Sequence, residues 1–146
     1  MKGPESMKKL AIALVLGAVA IVAASCSSSG ATDTGKLITS AAVGNNLTVT
    51  LSNRDGVLKN GHNEVFVSFK DGSAKIVEVG AVGLNLYMPA MGTMPAMNSS
   101  ATFTATGTPG VYHGKVKLEA AGDWQAQISY EGAAGKGKSS LTVTAQ

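Results

Sequence analysis

The sequence gathers its most distinctive side chains in one stretch, Tyr87-Met88-Pro89-Ala90-Met91-Gly92-Thr93-Met94-Pro95-Ala96-Met97, in which Met-Pro-Ala-Met is written twice. Of six methionines in the chain, Met1 and Met7 stand at the N-terminus and the other four are here. A thioether is a soft, neutral donor that selects copper(I), and it needs no deprotonation. It also survives an oxidising compartment in which free thiols would pair. Met88, Met91, Met94 and Met97 are therefore candidate copper(I) ligands, three or four of them acting together. The two prolines remove backbone donors and hold the stretch extended, which predicts a loop over one end of a β structure and not a central strand. Methionine is also adaptable packing material, and a methionine-rich surface suits an apolar partner. Met88 continues the inward parity of Leu84 and Leu86, as a core residue would. For Met91, Met94 and Met97 no strand period buries all three, and the prolines oppose a helix.

Other side chains could join such a site. His62 lies in a Gly61-His62-Asn63 turn, and His113 alternates with Tyr112 and Gly114 on a face shared with Lys115 and Lys117. Each is a candidate ligand and reads equally as a solvated histidine. Trp124 reads as the core tryptophan, and its place near the loop also suits a ring face packed behind a bound cation. Gly132 to Ser139 satisfies the spacing of a phosphate-binding loop, but that loop works by opening a helix, whereas Leu141-Thr142-Val143-Thr144 reads as a strand. No nucleotide site is expected. With two histidines, scattered carboxylates and no nucleophile elbow, the chain reads as a non-enzyme.

The elements that must position these residues begin with an address. Lys8 and Lys9 precede an apolar run from Leu10 to Ala24, then Ser25-Cys26, which is the pattern of a secretory signal over residues 1–25, with Met7 as an alternative start. The run is short for a membrane span, which needs about 20 apolar residues. Ala23-Ala24-Ser25-Cys26 resembles the lipobox of bacterial lipoproteins, with Ala23 where Leu is usual. Cys26 is thus the expected lipidation site, and two or three acyl chains anchor a protein firmly to a membrane. An ordinary secreted protein with one leftover thiol is the alternative. Ser27 and Ser28 lack the aspartate associated with inner-membrane retention, so an outer-membrane location facing the periplasm is expected in a Gram-negative host. Residues 26–36 form the lipidated terminus and tether.

Residues 37–146 read as the folded domain. Leu47, Val49 and Leu51 alternate with Thr48, Thr50 and Ser52, and similar sets follow at Val65 to Phe69, Val82 to Leu86, Ala101 to Ala105, Tyr112 to Leu118, Trp124 to Tyr130, and Leu141 to Val143. Turn residues separate them at Asp55-Gly56, Asp71-Gly72, Thr108-Pro109-Gly110, Gly122-Asp123 and Gly132 to Gly137. This predicts an all-β, immunoglobulin-like antiparallel β-sandwich of seven or eight strands, a pattern also compatible with a barrel. Hairpins are predicted across Asp71-Gly72, Thr108-Pro109-Gly110 and Gly122-Asp123. In that register His62 comes towards the methionine end, while His113 lies about six residues from the level of Asn98, or ~20 Å. Beyond residue 25 there are nine Lys+Arg (12 − 3) and eight Asp+Glu (9 − 1), a net charge of +1, which offers no footprint for nucleic acid.

A Met-Pro-x-Met loop, then Gly110-Val111-Tyr112, then Gly122-Asp123-Trp124 leading a strand resembles the YtkA-like/FixH-like periplasmic domain, from about Asn60 to the C-terminus. The resemblance rests on Met88, Pro89, Met91, Gly122 and Trp124. It implies an immunoglobulin-like sandwich, export, and a role in copper handling or oxidase-related metal supply. Two departures are visible: FixH proteins usually span the membrane, and the His-x-Met pair of a separate copper chaperone family is not matched, because Gly114-Lys115 follows His113. The reading that results is a membrane-anchored copper(I)-binding module that buffers or passes copper, with copper-handling or efflux proteins as partners. Its rival is an accessory envelope lipoprotein whose Met/Pro loop docks a protein and holds no metal.

Overall fold

Alternating apolar and small polar residues from Lys36 onward produce eight antiparallel strands in a computed structural model that describes residues 34–146. The expected signal segment, lipid-accepting Cys26 and most of the tether lie outside the described residues. The strands are β1 (Lys36–Gly44), β2 (Leu47–Asn53), β3 (Gly61–Lys70), β4 (Ala81–Met88), β5 (Met97–Ala105), β6 (Val111–Leu118), β7 (Gly122–Gly132) and β8 (Gly135–Ala145). No helix occurs among the described residues. The ladder runs without a break in the order β1-β2-β3-β6-β5-β4-β7-β8. It rolls into a sandwich-like body, so the all-β antiparallel architecture expected from the alternation is present.

The inward faces are those set by the period of two. Leu47, Val49 and Leu51 on β2, Val65, Val67 and Phe69 on β3, Leu84 and Leu86 on β4, and Trp124, Ala126, Ile128 and Tyr130 on β7 are all buried. Phe69 meets Tyr130 and Tyr112 edge to face, with ring centroids 5.3 and 6.2 Å apart, a geometry that aromatic quadrupoles favour. β1 and β8 close the roll without a ladder between them. Asn45 donates to the Tyr130 hydroxyl at 2.8 Å across that seam, and a Cβ on Gly137 would lie 2.2 Å from the Val43 carbonyl oxygen, so only glycine admits this approach.

Two predicted hairpins are absent. β6 pairs with β3 and β5, not with β7, and β4 pairs with β5 and β7, not with β3. Asp71-Gly72 does turn the chain, but it returns only to a Lys70–Ile76 bridge before residues 77–80 cross to the other part of the sheet. The Tyr112 hydroxyl receives that crossing, accepting from the Val79 and Gly80 amides at 3.0 and 3.2 Å. The predicted hairpin at Thr108-Pro109-Gly110 is present, and the turn residues Gly132 to Gly137 join β7 to β8 as a hairpin. This turn continues directly into strand β8, so the phosphate-loop spacing leads into no helix. β1 is an additional strand turned into β2 by Asn45 and Asn46, both with positive φ (52° and 58°).

Antiparallel succession places the β2–β3, β4–β5 and β6–β7 connections and the C-terminus at one end. Leu58 plugs this end at full burial, and the chain terminus is tied there by Asn60 N–H to the Gln146 carbonyl and Gln146 N–H to the Leu58 carbonyl, both 2.8 Å. Buried Asn53 accepts from the Gly56 amide and donates to the Val57 carbonyl, each at 2.6 Å. The β2–β3 connection at this end is thereby held by both backbone and side chains.

Candidate functional site

The methionine segment is the tip of the β4–β5 hairpin. Strand pairing runs Leu86–Ser99, Tyr87–Asn98, Met88–Met97, and the same register reaches an isolated Met91–Met94 bridge. The predicted loop over the end is therefore corrected to a hairpin that carries the line of its strands outward. Met91 and Met94 exchange both backbone hydrogen bonds, at 3.0 and 2.8 Å. Gly92, at φ 55°, takes the first central position of the two-residue turn, where a II′ geometry calls for glycine. Bonded positions recur every second residue, so the next would be Pro89 opposite Ala96. Pro89 has no N–H to give, and the ladder lapses at 89–90 and 95–96 before resuming.

This register divides the four thioethers. An offset of three residues on a pleated ribbon puts side chains on opposite faces. Met88 and Met97, directly opposite one another, take the inner face: Met88 is 1% exposed and Met97 is half-buried against the core. The Met88 methyl lies against Gly122, where an added Cβ would come within 3.2 Å of it. Met91 and Met94 are 52% and 43% exposed, and their mutual hydrogen bonding sets their Cα atoms about 5.5 Å apart. Met88 is accordingly a core residue, as its parity with Leu84 and Leu86 allowed. The accessible thioethers are the cross-strand pair Met91 and Met94.

The remaining candidates do not converge on that pair. His62 is exposed at the methionine end and stands opposite Lys117 on β6. Carrying the β5–β6 register two residues onward sets Lys117 level with Ser100, and the Ser99 hydroxyl donates to the Lys117 carbonyl there. His62 is then two strands sideways and six residues short of Met94, about 20 Å along the strand direction alone. His113 pairs with Thr104, six residues from Asn98, in agreement with the sequence-based register. Its ring instead packs on Phe66 at 5.0 Å, with Nε2 4.0 Å from Glu64, which also pairs with Lys115 at 3.7 Å. Trp124 is 1% exposed and its indole N–H donates to the Ala120 carbonyl at 3.1 Å, so no ring face is presented to the tip.

Sequence reasoning missed the turn that pairs the two methionines. Its signal is the symmetry of the segment: two Met-Pro-Ala-Met copies around Gly92-Thr93, with glycine leading a two-residue connection. It also missed the electrostatic setting. Between Glu78 and Lys115 the chain has no Asp, Glu, Lys or Arg, so β4, the tip and β5 are free of formal charge. Among the described residues there is no cluster of three or more His, Cys, Asp or Glu suited to a metal ion. Donors at this tip are the thioethers, the Thr93 hydroxyl and backbone carbonyls. No helix among the described residues is long and apolar enough to cross a membrane.

Comparison with known proteins adds one match. No curated protein and no solved structure matches the chain. The family model described as YtkA-like matches residues 41–129, which begins in β1, earlier than the Asn60 start read from the motifs, and ends within β7. The matched span contains the methionine hairpin, the Gly110-Val111-Tyr112 turn and Gly122-Asp123-Trp124, and it covers more than half of the sequence; the chain belongs to the YtkA-like family.

Proposed function

We propose that this protein is a copper(I)-binding module of the bacterial envelope, tethered through a lipid on Cys26, that buffers or passes copper through its methionine hairpin. Membership of the YtkA-like family suggests an accessory domain of the envelope. The observation that carries the copper reading is the Met91–Met94 pair: two exposed thioethers fixed side by side by reciprocal backbone hydrogen bonds on a charge-free tip. Soft, uncharged donors favour copper(I) over hard divalent cations, which take carboxylate and carbonyl oxygen. The role on this reading is binding and not catalysis. Partners on this reading are copper-handling or efflux proteins that receive the ion, and the chain faces the periplasm from the outer membrane if the host is Gram-negative.

The test is anaerobic copper(I) titration against a competing chelator, with the full-length chain and its Met91→Leu/Met94→Leu variant. Leucine keeps the apolar bulk and removes the sulfur. Loss of binding with an unchanged circular dichroism spectrum is expected. Equal affinity in the variant overturns the site. A partner captured equally well by both proteins, with no copper bound by either, favours the accessory docking protein without metal instead.

A further inference from the structure

Copper(I) surrounded only by neutral thioethers takes roughly three or four of them, because each contributes little charge. One tip presents two: Met88 is sealed in the core, and Met97 is packed against it on the same side of the ribbon. Neither histidine lies near enough to supply the remainder. We propose that two copies of this chain meet tip to tip and share one copper(I), each contributing Met91 and Met94 to a four-sulfur site. This rests on the copper reading above and specifies its ligand set.

The occupant is a second copy for two reasons. Identical surfaces repeat every charge, so a tip bearing even one Lys or Glu would face its like across a two-fold axis. Here the whole hairpin carries none, from Val79 to Gly114. The donors are also equivalent: Met91 and Met94 sit directly opposite one another about the turn, and the flanking Pro89, Ala90, Pro95 and Ala96 are exposed and small or rigid. Two such tips bring together two like pairs with no bulky or charged neighbour in the way. The apolar contact between bare tips is too small to hold a dimer without the ion.

Native mass spectrometry and sedimentation of the full-length chain in detergent test this, with copper(I) supplied anaerobically under a reductant. The expected result is a mass that doubles on copper addition at half an ion per chain, with no doubling in Met91→Leu/Met94→Leu. The Met97→Leu variant should retain both stoichiometry and doubling; loss of either assigns the third sulfur to the same chain and overturns sharing. One ion per chain on an unchanged monomer also overturns it and leaves copper binding standing. A dimer that forms equally without copper overturns the bridging role. Absence of copper binding altogether removes the functional reading and this inference with it.

Discussion

Replacing Met88 by alanine separates the two pairs of methionines without any appeal to metal. The substitution removes Cγ, Sδ and Cε from a side chain that is 1% exposed. At about 0.8 kcal/mol per methylene-sized group, the lost transfer free energy is about 2.5 kcal/mol. The space it leaves in the buried core beside Gly122 cannot collapse freely on a rolled sheet, so a cavity term brings the total to about 3–4 kcal/mol. Met91→Ala removes the same atoms from a residue already 52% exposed, which leaves about 1 kcal/mol and no cavity. For a domain of this size each kcal/mol moves the midpoint about 3–5 °C, so Met88→Ala should lower Tm by about 10–20 °C and Met91→Ala by less than about 5 °C. Trp124, the single tryptophan, is buried at this end and reports unfolding by fluorescence in heat or urea. Met88→Leu, similar in volume, should cost less than about 1.5 kcal/mol. Equal losses at Met88 and Met91 would refute the division of the ribbon into an anchored and a displayed face.

Three further perturbations probe the end of the sheet opposite the tip. Tyr112→Phe deletes the acceptor shared by the Val79 and Gly80 amides and should cost about 1–3 kcal/mol in urea unfolding; a change under about 0.5 kcal/mol would mean the crossing segment is held otherwise. Gly137→Ala forces a Cβ onto the Val43 carbonyl, a backbone atom that cannot swing aside, and should cost about 1–3 kcal/mol with faster amide exchange along β1 and β8; unchanged exchange would argue against the close seam. The Asp71 carboxyl is held below the usual aspartate range, first by the Ser73 hydroxyl and next by the Lys75 amide. Its contribution is therefore complete above about pH 4 and is lost as pH falls through the lowered folded-state value. Thermal midpoints of the wild type and Asp71→Asn should converge on acidification, and parallel curves would exclude the linkage.

How much of this was legible in the sequence differs from residue to residue. The buried faces of β2, β3, β4 and β7 follow from alternation, because a one-residue slip would turn Leu47, Val65, Leu84 or Trp124 to water. Strand neighbours did not follow from it. A period of two says which side of a strand is apolar and is silent on which strand lies beside it, so β6 and β7, consecutive and joined by a glycine turn, read as a hairpin yet lie in separate parts of the sheet. β1 escaped because an exposed edge buries little: only Val43 is closed off, and Asn45-Asn46 is a turn signal without glycine between its positions. The distance of His113 from the methionines was legible, since it required only the β5–β6 hairpin, which Thr108-Pro109-Gly110 enforces.

The methionines show why spacing has meaning only once the local geometry is fixed. Residues three apart share a face on a helix and take opposite faces on a ribbon. Pro89 and Pro95 exclude the helix, and Gly92-Thr93 folds the two Met-Pro-Ala-Met copies against one another, so each copy contributes one methionine to the core and one to the tip. The inner pair anchors the hairpin on the rolled sheet, and the outer pair is displayed by the same covalent repeat. Display without anchorage would leave two long, mobile side chains on an unsupported turn, and ordering them around an ion would then cost the rotamer and backbone entropy of the whole tip. Anchoring through Met88 and Met97 places that ordering cost in folding, so the exposed sulfurs meet a ligand already held at the separation of a bonded cross-strand pair.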